Sequence, residues 1–82
     1  MQKIRPDMDI GSNIQKLRRK CGMTQDAAIA RLNLAGIEIS KSSYAKIETN
    51  RMNVKVSELV AMKEIFKADY SDFFDGLTLN NS

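Results

Sequence analysis

Helix start and stop residues punctuate this chain at intervals too short for any long element. Asp9, Thr24, Ser40 and Asp69 each precede a stretch of apolar periodicity and suit N-caps, because a short polar side chain can accept an unpaired backbone N–H. Gly22, Gly36 and Gly76 follow as left-handed stops. The chain is therefore confined to short helices.

From Asp9 the apolar positions Ile10, Ile14, Leu17 and Cys21 fall at helical steps, with Gln15, Lys16, Arg19 and Lys20 between them. The second helix opens at Thr24. It carries Gln25 and Asp26 in its first turn, where a carboxylate meets the positive end of the helix dipole, and turns Ala28, Ile29 and Leu32 inward. Ile37, Glu38 and Ile39 alternate like a short extended link with both isoleucines facing the core. Ser40 then opens a third helix, from Lys41 to about Thr49, that buries Tyr44 and Ile47 before a loop begins at Asn50 and Arg51. A fourth helix places Leu59, Met62, Ile65 and Phe66 on its buried side, although neither Lys55 nor Val56 caps its start well. Asp69 caps a final short helix, with Asp72 three residues on and Phe73 and Phe74 both expected to face the core. The expected fold is all-α, with five helices and no sheet over residues 9–77. Residues 1–8 and 78–82 lack apolar periodicity and are expected to be flexible arms.

At 82 residues the chain forms one domain, since a compact unit of this size buries only about 60% of its unfolded surface and cannot be divided further. Cys21 is the single cysteine, so no internal disulfide and no cysteine-based zinc site can form. Histidine is absent altogether. That removes the usual general base near neutral pH, the His-paired nucleophiles and most transition-metal sites, and argues against an enzyme and against any cofactor. No apolar run approaches the ~20 residues of a membrane span, and no secretory segment stands at the N-terminus, so a cytoplasmic protein with no membrane partner is expected. Charge is unevenly placed. Residues 1–56 hold 11 Lys/Arg against 5 Asp/Glu, whereas residues 57–82 hold 2 against 5, so the first two-thirds should attract an anion.

Helices two and three with their connector form a helix-turn-helix unit, in which one helix holds the other by apolar contacts and leaves its outer face free. An α-helix fits the major groove of B-DNA, where base edges present a distinct donor and acceptor pattern. Lys41 and Lys46 can donate to guanine O6 and N7, Ser42 and Ser43 can donate or accept, and Ala45 permits close approach. At the groove rim, Gln25 and Ser40 lie at helix N-termini that suit phosphates, and Asn50, Arg51 and Lys55 would reach the DNA backbone from the other side.

The pattern IGxNIxxLRxxxGMTQ over residues 10–25, followed by ISKSSYAKIETNR over 39–51, resembles the Cro/C1-type, or Xre-family, helix-turn-helix regulators of bacteria and phages. The resemblance covers residues 10–74. It implies a five-helix lambda-repressor-like domain that binds a double-stranded DNA operator as a transcriptional regulator, as a homodimer. It assigns base contact to Lys41, Ser42, Ser43 and Lys46, and phosphate contact to Gln25, Ser40, Thr49, Asn50 and Arg51. It also implies a structural ion pair between Arg18 and Glu48 that locks the recognition helix to helix one. Three departures stand out: Ala28-Ile29 replaces the common Leu-Ala pair, the turn through Asn33 to Glu38 is about four residues longer than usual, and Asn50 replaces a glycine, a place Asn can take because it tolerates left-handed backbone angles.

Several competing readings are weaker. Asp69, Asp72 and Asp75 are spaced by three, unlike the alternate ligands and closing glutamate of an EF-hand, so capping is the expected role. Cys21 reads as a small apolar residue at a helix end, and Lys3 and Arg5 as an idle arm. The five aromatics are too few for RNA stacking, and the three Phe and Tyr44 are expected to be committed to the core. A protein-interaction module of the same fold, such as an antitoxin or a regulator adaptor, is the alternative function. Phe73, Phe74, Leu77 and Leu79 in the acidic C-terminal region would then serve a protein partner or a second subunit.

Overall fold

The computed structural model describes residues 3–4 and 8–78. Helices α1 (Gly11–Lys20), α2 (Gln25–Leu34), α3 (Lys41–Glu48), α4 (Val56–Ile65) and α5 (Tyr70–Phe73) follow one another in the chain. Helix α2 packs on α3 and α4, and α1 packs on α3 and α5. The five expected helices are present. The expectation that no strand forms is corrected by a short antiparallel pair, β1 (Lys3–Ile4) with β2 (Val54–Lys55), in which Lys3 lies opposite Lys55 and Ile4 opposite Val54. The loop after α3 is already extended at Val54 and offers the N-terminal backbone a partner. Of the expected arms, residues 1–2, 5–7 and 79–82, Leu79 among them, lie outside the described residues.

Four helices end in the same way. In α1, α2, α3 and α4 the residue two beyond the cap donates its N–H five residues back, as in Met23 to Arg18, Ile37 to Leu32, Arg51 to Lys46 and Ala68 to Lys63. This Schellman closure needs a left-handed residue one step earlier, supplied by Gly22, Gly36, Asn50 (φ 60°) and Lys67 (φ 54°). Lys67 carries no sequence signal for that conformation, and a residue with a Cβ adopts it at a cost of about 1–2 kcal/mol.

At the helix starts Thr24 Oγ1 accepts from the Ala27 N–H at 3.1 Å and Ser40 Oγ from the Ser43 N–H at 3.1 Å, as expected. Asp9 accepts from both the N–H and the hydroxyl of Ser12, and these bonds hold its carboxyl below the usual range. At α5 Asp69 is the N-cap as expected and forms a capping box with Asp72, whose carboxylate accepts the Asp69 N–H at 2.9 Å. The poorly marked start of α4 is closed by Glu58, whose Oε1 accepts the Lys55 N–H at 2.7 Å.

Ile14, Ala28, Leu32, Tyr44, Met62 and Phe73 form the centre of the core, with Ile10, Ile47, Val54, Leu59, Ala61 and Phe66 around them. Burial of each large apolar side chain contributes about 1.5–3 kcal/mol. Ile37 and Ile39 turn inward against this cluster as expected. Phe74 does not, remaining 44% exposed. Helix α5 is a single turn, and consecutive residues on a helix diverge by about 100°, so only Phe73 of the pair can enter the core. Cys21 likewise leaves the α1 stripe; it is the exposed C-cap residue, and its thiol donates to the Phe66 carbonyl.

Candidate nucleic-acid interface

Tyr44, Ile47 and Glu48 are buried on the inner side of α3, leaving Lys41, Ser42 and Lys46 exposed and Ser43 and Ala45 half-buried. These outer residues follow i, i+1, i+4 and i+5 spacing, which places Lys41, Ser42, Ala45 and Lys46 along one helix face. The face is polar and basic. Ser43 lies at its margin, where its N–H is taken by the Ser40 cap.

Helix α3 is held from behind by a buried ion pair. Arg18 donates from Nε to Glu48 Oε2 at 2.7 Å and from Nη2 to Oε1 at 3.1 Å, and from Nη1 to the Met23 carbonyl at 2.7 Å. Both residues are nearly inaccessible, at 6% and 4% exposure. Burial alone would raise the Glu48 pKa. The hydrogen bonds from Arg18 and Gln25, with the neighbouring Tyr44 hydroxyl, outweigh it and hold the carboxyl below its ordinary value. The same contact raises the Arg18 pKa further. The Tyr44 hydroxyl is buried beside this pair and is the one buried side-chain polar atom among the described residues with no hydrogen-bond partner. Desolvation and the adjacent carboxylate push its pKa far up.

The five residues expected at phosphates divide into two groups. Ser40 and Arg51 are exposed beside α3. Gln25 is half-buried, and its Nε2 donates to Glu48 Oε1 at 3.0 Å, so its side-chain amide serves the ion pair. Thr49 donates its hydroxyl to the Ala45 carbonyl at 3.0 Å and accepts from Arg51 Nε at 3.0 Å. Asn50 Oδ1 accepts the Gly11 N–H at 3.2 Å, which ties the loop after α3 to the start of α1. Lys55 is half-buried in the strand pair.

Three contacts around the site carry no clear sequence signal. Gly11 lies so close to the end of α3 that an added Cβ would meet the carbonyl oxygens of Ile47 at 2.5 Å and Glu48 at 2.7 Å. Asn13 is buried and donates from Nδ2 to the carbonyls of Phe73 and Asp75, both at 2.9 Å, anchoring the end of α5 on α1. Asp26 Oδ1 lies 3.1 Å from Lys41 Nζ, bridging the first turns of α2 and α3.

Among the described residues, no helix is long and apolar enough to cross a membrane, and no group of three or more His, Cys, Asp or Glu is placed to hold a metal ion. Comparison with known proteins finds no matching family model and no matching curated relative.

Proposed function

We propose that this chain is a sequence-specific double-stranded DNA-binding regulator of the Cro/C1 type with a lambda-repressor-like fold. In this reading α2, the connector and α3 are its helix-turn-helix, and α3 enters the major groove. Lys41, Ser42, Ser43 and Lys46 read bases; Ser40, Arg51 and the first turn of α2 at Gln25 meet phosphates, with Thr49 and Asn50 shaping the loop. The observation that supports it best is the division of α3 into a buried, ion-paired inner side and an exposed face of lysine and serine. A helix mounted from behind presents its outer side chains in a fixed register, as groove reading requires. The proposed protein needs no cofactor, is not an enzyme, acts in the cytoplasm and binds its operator as a homodimer.

Selection from a randomised duplex library tests this reading, with affinities for the winner and for a scrambled duplex measured at two salt concentrations. A preference of ~10³-fold or more is expected. Lys41→Ala or Ser42→Ala should change the preferred sequence, whereas Arg51→Ala should weaken all duplexes about equally. Weak, steeply salt-dependent binding with no winner would defeat the reading.

A second reading, a protein-interaction module, draws on Leu34 at the end of α2, which is 87% exposed, and on Tyr70 and Phe74 at 47% and 44%. Phe73 is fully buried and drops out of the apolar surface expected for the C-terminal region. Light scattering over a concentration series, with and without DNA, separates self-association through these residues from a monomer.

A further inference from the structure

The Asp26–Lys41 contact is the one side-chain ion pair linking α2 to α3 among the described residues, and it lies on the face assigned to DNA. Its members are 73% and 65% exposed at the side chain, so it adds little to the stability of the fold. Its position matters more. Asp26 stands in the first turn of α2 and Lys41 in the first turn of α3, so both dipole ends favour the carboxylate where a phosphate would otherwise be drawn.

We infer that Asp26 is a specificity-determining residue, acting on Lys41; the inference rests on the DNA-binding reading above. The Asp26 carboxylate oxygen lies 3.1 Å from the Lys41 ammonium as an ion pair, which draws the ammonium toward α2 and limits the directions from which a neighbouring acceptor pair such as guanine O6 and N7 can approach it. The carboxylate also cancels part of the lysine's attraction for any phosphate, an attraction that carries no sequence information. Non-cognate duplexes are thereby penalised, while a duplex offering the right base edge retains its contact with the oriented ammonium.

The test compares wild type, Asp26→Asn, Lys41→Ala and the double variant. Each is titrated with the selected duplex and with a scrambled one across a salt series. Asp26→Asn should tighten binding to the scrambled duplex by roughly two- to fivefold, the scale of an exposed charge interaction. It should also steepen the salt dependence there by about one phosphate contact, and lower the preference for the selected duplex. In the Lys41→Ala background neither change should occur. Equal tightening on both duplexes, no change on either, or the same effect without Lys41 would overturn the inference while leaving the regulator reading intact. A wild type that selects no duplex would instead remove the reading itself, and this inference with it.

Discussion

Arg18 reaches across thirty residues of sequence to grip Glu48 through two of its guanidinium nitrogens, and a third donor closes on the Met23 carbonyl. Helix α1, the turn before α2 and the end of α3 thus meet at a single side chain. Arg18→Met should leave the Glu48 carboxylate buried without its counterion, at a cost of about 3–5 kcal/mol, a large part of the stability of a domain of this size. The double variant Arg18→Met, Glu48→Leu should recover most of that loss, because an apolar pair of similar volume needs no desolvation. Urea unfolding of the single and double variants measures both. A shift below about 1 kcal/mol in Arg18→Met would show the pair to be dispensable.

The same pair sets an acid limit. Folding holds the Glu48 carboxyl below its ordinary 4.5, so the ionised form contributes stability above that pH and the contribution is lost as pH falls through the lower folded value. Wild type should therefore lose stability relative to the Arg18→Met, Glu48→Leu variant on acidification below about pH 4.5. Parallel curves from neutral to strongly acidic pH would contradict this.

Tyr44 stands beside the pair with its hydroxyl unpartnered. Tyr44→Phe removes an atom that costs desolvation and returns no hydrogen bond, so stability should stay within about 1 kcal/mol of wild type or rise. A loss above roughly 2 kcal/mol by urea or thermal unfolding would mean that the hydroxyl is bonded to Glu48 in solution.

Gly11 offers a test of sign. Inside a helix alanine is normally favoured over glycine by about 1 kcal/mol. Here the new methyl would press on three backbone atoms, the carbonyl oxygens of Ile47 and Glu48 and the amide nitrogen of Asn50, none of which can swing aside. Gly11→Ala should accordingly destabilise by about 1–3 kcal/mol or more, and a gain in thermal midpoint would show that α1 does not approach α3 so closely.

Much of this architecture was legible because its signals are local. The Thr24 and Ser40 caps, the stops at Gly22 and Gly36, and the inward turn of Tyr44 and Ile47 each depend on residues within one or two helical turns. The features that escaped depend on distant partners. Asn13 is buried because two carbonyls sixty residues onward need donors, and Lys67 is left-handed because α4 closes there without a glycine. The strand pair joins residues fifty apart, and the exposure of Phe74 follows from how few residues α5 contains. At the candidate site, the exposed positions on α3 could be read from periodicity, whereas Gln25 and Asn50 were drawn away from the expected surface by Glu48 and Gly11.

The mounting of α3 bears on how such a chain can diverge. Its anchors, Tyr44, Ile47 and Glu48, all lie inward, while Lys41, Ser42 and Lys46 are held by nothing in the core. Substitutions at exposed positions of that kind usually change stability by no more than about 0.5 kcal/mol. Duplicated copies can therefore drift apart in what α3 touches, one replacement at a time, with every intermediate still folded.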